Sequence, residues 1–227
     1  MTHHSVDDEA FHGGWVGALR RAAAGHVFAS REDAVSDRRR AVAEFRDESG
    51  NRRLTDQLVL CHVLGLSLRQ APSEVSLAVV SSRSLDVMLW GLVLTPHPDL
   101  SGLTATVGVD GPLGVLAGAV EVATEVQLAS LHALTWLALR DWEIAARVHS
   151  ATTWLLEHLE PDNATRRPWG IHAFIARASA GDAEAGLYAS AMLHACCVEH
   201  GRPDRVSALI LLDGADWLEA RDEKFSR

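Results

Sequence analysis

Four histidines lie on the apolar faces of predicted helices in the C-terminal half of the chain, one to each helix: His132, His149, His172 and His194. A further predicted helix carries Asp213 on its apolar face. Imidazole and carboxylate groups bind zinc, iron or manganese, and three protein ligands with an open position form a catalytic metal site. If these helices share one interior, His132, His149 and His194 are candidate ligands of a divalent metal. His149, His172, His194 and Asp213 are then candidate acid–base catalysts.

The same histidines have a simpler interpretation as isolated, hydrogen-bonded residues of the core. No pair has the His-x-x-x-His spacing that places two metal ligands one turn apart on a helix. We therefore prefer the core interpretation, and the sequence leaves open whether the protein is an enzyme. The positions of these side chains distinguish the two interpretations, because a catalytic site needs several of them at a single cavity.

The segment 160–172, EPDNATRRPWGIH, carries more polar groups than a simple connection between two helices requires. Its candidate ligand-binding residues are Asp162, Asn163, Arg167 and Trp169. As a binding site at the rim of a cavity, Arg167 would pair with a carboxylate and Trp169 would stack on a sugar-like ligand. As a structural turn, the acid and amide would satisfy free amides, the arginines would pair with helix carbonyls, and the tryptophan would fill the hairpin. We prefer the structural role.

Helical periodicity dominates the chain and predicts an all-α fold, built as an array of antiparallel helix hairpins. Ser30 has the position of a helix N-cap, as do Asp141 and Asp182, and Pro168 suits the first turn of a helix. The predicted helices cover residues 31–48, 55–68, 74–80, 85–94, 113–139 with a break near 124, 142–159, 169–178, 183–200 and 203–220.

The predicted organisation is a mobile tail over residues 1–14 followed by a single helical domain over 15–227. Within that domain, residues 15–111 form N-terminal helices and loops, and residues 112–227 form helix-hairpin repeats. The segment 72–111 is the least regular part, because the β-branched runs at 75–80 and 103–109 also suit strands. The sequence therefore leaves room for a short β element there.

Residues 151–163, ATTWLLEHLEPDN, followed by Trp169 and Gly170, resemble a repeat of the α/α toroids of the prenyltransferase and squalene–hopene cyclase superfamily. The shared features are small residues, an aromatic residue, a Leu-Leu pair, a Pro-Asp turn and a tryptophan. The resemblance covers residues 141–221 and implies a toroid-like or solenoid-like helical repeat. No Asp-rich catalytic motif accompanies it, so it implies an architecture and not cyclase or transferase activity.

Composition and charge exclude several classes of function. The chain has 227 residues, of which 48% are hydrophobic and 22% charged, as in ordinary globular proteins. A net charge of −9 argues against nucleic acid or an anionic membrane surface as the main partner. The sequence has no signal-peptide pattern, no transmembrane stretch, no CxxC pair and no nucleotide-binding glycine motif. We expect a cytoplasmic protein of bacterial origin.

These observations favour a helical scaffold or binding module that presents a concave face near the 161–172 turn to a protein or small-molecule ligand. The alternative is an enzyme with a His- and Asp-lined cavity, acting through a divalent metal or a general base. Self-association through a face rich in tryptophan and leucine, giving a homo-oligomer, is a third alternative.

Overall fold

The computed structural model describes residues 6–114, 120–159 and 165–225, and these residues form helices and their connections, without a strand. The predicted all-α fold is confirmed. None of the helices in these ranges combines the length and the apolar character needed to cross a membrane. In chain order the described helices are α1 Val6–Ala23, α2 Val35–Glu44, α3 Leu54–Val63, α4 Ser73–Ser81, α5 Leu85–Val93, α6 Leu103–Val107, α7 Val120–Ala138, α8 Trp142–His158, α9 Ile171–Ser179, α10 Ala183–Ala195 and α11 Arg205–Phe225.

Five helices surround a common interior. Helix α3 contacts α5, α5 contacts α7, α7 contacts α9, α9 contacts α11, and α11 contacts α3. We call these five the ring helices. The remaining helices pack outside them, with α4 against α3 and α5, α8 against α7, α10 against α9, and α1 against α11. Each ring helix contributes fully buried side chains to the shared core, among them Leu58, Trp90, Leu131, Phe174 and Leu211.

Two predicted N-caps begin the outer helices of the C-terminal hairpins. The carboxylate of Asp141 accepts from the backbone N–H groups of Glu143 and Ile144, at 2.8 and 3.3 Å, where α8 begins. The carboxylate of Asp182 accepts from the N–H of Ala185 at 3.1 Å, where α10 begins. Both caps satisfy amides that lack a partner within the helix. These two predictions are confirmed.

Helix α9 begins later than its sequence predicts. The prediction placed Trp169 inside the helix, but Gly170 has φ 71°, a left-handed conformation, and the helix begins at Ile171. Trp169 therefore lies in the connection that precedes α9, and not in the helix itself. Residues 160–164, which include Asp162 and Asn163, lie outside the described residues.

The predicted helix over 74–80 is confirmed by α4, and the segment 103–109, for which the sequence left helix or strand open, contains α6 over 103–107. Packing decides the state of short β-branched runs more than propensity does. Two other local predictions are wrong. Residues 6–14, predicted as tail, lie in α1, which packs on α11. Ser30 does not cap α2: Asp33 accepts its N–H at 2.8 Å in a separate turn, and α2 begins at Val35.

Candidate functional site

Asp213 of α11 is fully buried at the centre of the ring helices and accepts three hydrogen bonds. Nδ1 of His62, on α3, donates to its Oδ1 at 2.7 Å. From α7, Nε2 of His132 and the indole Nε1 of Trp136 donate to its Oδ2, both at 2.8 Å. We call these four residues the Asp213 network. It joins α3, α7 and α11 across the interior and occupies both carboxylate oxygens.

The backbone fixes the proton position on His132. The N–H of Gly170 donates to Nδ1 of His132 at 3.2 Å. Because an amide N–H only donates, Nδ1 is the acceptor and the imidazole proton lies on Nε2, facing Asp213. The hydrogen bond from His132 to Asp213 therefore uses the Nε2 proton, and the second imidazole donor is His62. Its side chain is 17% exposed, so its imidazole reaches toward solvent.

Asp213 stays ionised despite its burial. Loss of water opposes ionisation, but the imidazoles of His62 and His132 outweigh it and hold the pKa of Asp213 well below its usual value. Three N–H donors and an ionised acceptor satisfy each other, which is the condition for a stable polar group in a core. Both carboxylate oxygens of Asp213 are thus hydrogen-bonded within the network.

His172 of α9 lies beside this network, with its ring centroid 4.3 Å from that of His132. The hydroxyl of Thr135 donates to the carbonyl of His132 at 2.6 Å and also bonds to Nε2 of His172. Since that hydroxyl proton is already used, Nε2 of His172 carries its own proton. Nδ1 of His172 is buried and has no hydrogen-bond partner among the described residues. Burial, with a contribution from His132, lowers the pKa of His172 well below its ordinary value.

Aromatic rings enclose the histidines. Trp136 lies edge-on to His62 at 4.4 Å between centroids, and Trp169 lies edge-on to His132 at 5.6 Å. Trp90 and Trp217 approach His132 and His172 at 5.5 and 4.9 Å. His132 and His172 are fully buried, so they are out of reach of a substrate.

The structure brings together only part of the predicted histidine and aspartate set. His132, His172 and Asp213 converge, whereas His149 and His194 are exposed on the outer helices α8 and α10. His132, His149 and His194 therefore do not come together as a metal site, and His149 and His194 lie apart from the buried Asp213. Within the described ranges, no group of three or more histidine, cysteine or acidic side chains has an arrangement that could hold a metal ion.

Arg167, just before α9, ties several acidic side chains together. Its Nη1 donates to both oxygens of Asp56 at 3.0 and 3.2 Å, and its Nη2 to Asp47 at 3.4 Å. The same Nη1 lies 3.8 Å from Oε1 of Glu125, which accepts from Arg53 at 2.6 Å. The predicted fork of Arg167 is thus already occupied by carboxylates of the protein, and not by helix carbonyls. We call these five residues the Arg167 cluster.

Asp56 behaves differently from Asp213. Its burial raises its pKa to about 6, and the positive charge of Arg167 opposes that rise without cancelling it. The carboxyl group therefore changes charge near neutral pH. A buried carboxyl with such a pKa, beside a cavity, marks a candidate functional residue.

A cavity of about 330 Å³ opens beside the Arg167 cluster, at the N-terminal ends of α3 and α5 and beside residues 125–129 of α7. Its polar lining includes Asp56, Asp86 and Glu125, with Thr55 donating to Asp86 at 2.5 Å. We call it the ring-end cavity. Its lining residues are Arg53, Leu54, Thr55, Asp56, Ser84, Asp86, Val87, Glu125, Val126, Ala129 and Trp169.

Trp169 separates the ring-end cavity from the Asp213 network. It lines the cavity on one side and contacts His132 on the other. Only 1% of its surface is exposed, so it forms part of a wall and not the open stacking platform that the sequence suggested. The predicted binding turn therefore contributes to a cavity, but through buried groups.

Sequence reasoning missed the partners that complete both regions. His62 carried a usable signal, since it is a histidine within an apolar helical run. Glu125 also carried one, because it interrupts the most apolar stretch of the chain. Asp56 carried none beyond its place in the first turn of a helix, where acids are common.

Comparisons with family models, with characterised proteins and with solved structures find no match to this chain. The geometry of the two regions is therefore the basis for assigning a function.

Proposed function

We propose that the five ring helices form an α/α toroid and that the ring-end cavity is the binding site for a small polyhydroxylated ligand. One observation carries the proposal. Three ring helices each direct a carboxylate, from Asp56, Asp86 and Glu125, into one cavity that also has an apolar wall. Small-molecule sites combine an apolar surface with a few convergent polar groups in this way.

The chemistry of the lining favours hydroxyl groups as ligand donors. The lining offers the carboxylates of Asp56, Asp86 and Glu125 as acceptors, while the hydroxyls of Thr55 and Ser84 already donate to Asp86. Hydrogen bonds from a hydroxyl to a carboxylate are stronger than those between neutral groups. Leu54 and Val126, both partly exposed, offer an apolar surface to the C–H face of a sugar ring. A cavity of about 330 Å³ suits a single sugar or cyclitol.

Calorimetric titration with myo-inositol and with D-glucose tests this proposal. We expect Glu125→Gln and Asp56→Asn to weaken binding at least about tenfold, because each removes a charged acceptor. Asp37→Asn is the matched control, since Asp37 is an exposed carboxylate paired with Arg40 at the surface. Affinity should rise as the pH increases through about 6, where Asp56 ionises. Absence of binding by either polyol, or equal affinity in all variants, contradicts the proposal.

A second candidate function, acid–base catalysis on the bound ligand, rests on Asp56 and Glu125. The same atom of Arg167 lies 3.0 Å from Asp56 and 3.8 Å from Glu125, so the two carboxyl groups are neighbours. A carboxyl with a pKa of about 6 is suited to proton transfer near neutral pH. Hydrolysis of nitrophenyl glycosides tests this function, and Asp56→Asn should abolish turnover. If the wild-type protein binds polyols but hydrolyses none of these glycosides, the catalytic function is contradicted and the binding function is retained.

A further inference from the structure

A second concave surface is formed by α4, the connection that precedes it, the connection that follows α5, and Arg39 of α2. It is a groove of about 860 Å³. Its apolar side chains are Leu68, Ala71, Leu77, Val80 and Pro96. We call it the α4 groove. It shares no lining residue with the ring-end cavity.

Helix α4 presents apolar residues on two sides. Val75 is buried, and α4 packs on α3 and α5. Leu77 and Val80, three residues apart, are 70% and 83% exposed and both line the groove. The other large apolar side chains that are exposed in the described ranges lie one to an element. A paired, uncovered apolar surface on one helix is a mark of an interaction site.

The charge around the α4 groove is opposite to that of the molecule. Arg39, Arg69 and His97 line it, and no carboxylate does. The chain as a whole carries a net charge of −9. An approaching surface with acidic groups is therefore attracted here and repelled elsewhere, which favours one docking position.

We propose that the α4 groove binds an acidic amphipathic helix of a partner protein. The apolar face of such a helix, with residues at spacings of three and four, covers Leu77 and Val80. Its flanking glutamates or aspartates pair with Arg39 and Arg69 at the edges. A second copy of this chain is a poorer occupant, because two chains that each carry a net charge of −9 repel each other as they approach.

Fluorescence anisotropy with two labelled synthetic peptides tests the proposal. Both are 18-residue helices with leucines at positions spaced three and four apart; one carries glutamates elsewhere and the other lysines. We expect the glutamate peptide to bind at least tenfold more tightly than the lysine peptide, and less tightly as salt is raised. The double variant Leu77→Ser, Val80→Ser should abolish binding, and Arg39→Ala, Arg69→Ala should weaken it severalfold.

Leu187→Ser provides the matched control, since Leu187 is 67% exposed on α10, away from the groove. All these positions are exposed, so unchanged thermal unfolding of each variant shows that loss of binding is local. Equal binding of the two peptides, no binding of the glutamate peptide, or equal loss in Leu187→Ser overturns the proposal. Self-association of the wild-type chain that Leu77→Ser, Val80→Ser abolishes also overturns it, in favour of a second copy.

Discussion

Asp213 and Asp56 are both buried carboxylates on ring helices, yet burial has opposite outcomes for them. Asp213 is fully buried and its pKa is lowered, whereas Asp56 is 1% exposed and its pKa is raised to about 6. The difference lies in their donors. Asp213 receives three N–H groups of its own, while Asp56 shares one guanidinium with Asp47 and Glu125. The number of donors for each carboxylate thus decides whether burial keeps the charge or removes it.

The same set of helices thus holds a polar core, the Asp213 network, and a candidate functional region, the Arg167 cluster. The Asp213 network has no carboxylate oxygen left for a ligand and is enclosed by tryptophans. The Arg167 cluster is incompletely satisfied and borders the ring-end cavity. An active or binding site often retains such an imperfectly compensated group, because its function needs a charge that can change. We therefore expect the Asp213 network, which joins α3, α7 and α11, to stabilise the helices that line the ring-end cavity.

The largest effect should follow from removing the centre of the Asp213 network. Asp213→Ala leaves His62, His132 and Trp136 without their common acceptor, and we expect it to lower the free energy of unfolding by about 3–5 kcal/mol. Urea unfolding followed by tryptophan fluorescence measures this. Glu219→Ala is the control on the same helix, because the side chain of Glu219 is 50% exposed and pairs with Arg20, so its loss should cost less than about 1 kcal/mol. Similar losses in the two variants would mean that the network does not stabilise the ring.

Two adjacent arginines allow a sharper test of the second region. Arg167 has a side chain 12% exposed and contacts three carboxylates, whereas that of Arg166 is 86% exposed and pairs only with Glu199 among the described residues. Arg167→Ala should cost about 2–3 kcal/mol, because Asp56 and its acidic neighbours lose their shared partner. Arg166→Ala should cost less than about 1 kcal/mol. Equal midpoints in urea for the two variants would contradict the assignment of Arg167 as the organiser of the cluster.

The sequence predicts the helices well but not which of them face the interior. Asp141 and Asp182 act as caps through local contacts, which local patterns predict. His149 and His194 lie on apolar stripes as His172 does, yet α8 and α10 are outer helices, and their histidines meet solvent. Helical periodicity shows that a helix has an apolar face, but it does not distinguish a helix inside the ring from one packed against it.

The candidate site depended on contacts between distant parts of the chain. Asp213 was predicted from its helix, but its partner His62 lies 151 residues earlier, and no local pattern records that α3 closes against α11. Arg167 was predicted as a binding residue, but Asp56 lies 111 residues away. Such long-range pairs follow from the order of helices around the ring, which a single sequence does not specify.

Stability against pH should show the opposite behaviour of the two aspartates. The folded pKa of Asp56, about 6, lies above its ordinary value of 3.8. The protonated carboxyl therefore stabilises the folded state, and this contribution is fully present below pH 3.8. Its contribution declines as the pH rises through about 6, by at most about 3 kcal/mol. Asp213, with a lowered pKa, contributes above 3.8 and loses its contribution as the pH falls further. Urea midpoints of Asp56→Asn should lack the decline near pH 6 and keep the acid loss; an unchanged profile would contradict the raised pKa.

The smallest predicted effect concerns Gly170, which links the two regions. It follows Trp169 at the cavity wall, and its N–H sets the proton position on His132. A Cβ at Gly170 would lie 3.2 Å from the carbonyl oxygen of Leu128, in a backbone with φ +71°.

Gly201 is the control for backbone strain without a steric contact. It has φ +67°, and nothing lies within 4 Å of an added Cβ. We expect Gly201→Ala to cost about 1 kcal/mol from the left-handed backbone alone. Gly170→Ala should cost about 1 kcal/mol more, because the connection must shift away from α7. A shift there moves the N–H away from His132, so the imidazole signals in NMR spectra should change in Gly170→Ala and not in Gly201→Ala. If the two variants are equally stable and both leave His132 unchanged, the cavity wall and the Asp213 network are independent, and the ring-end cavity does not depend on the polar core for its shape.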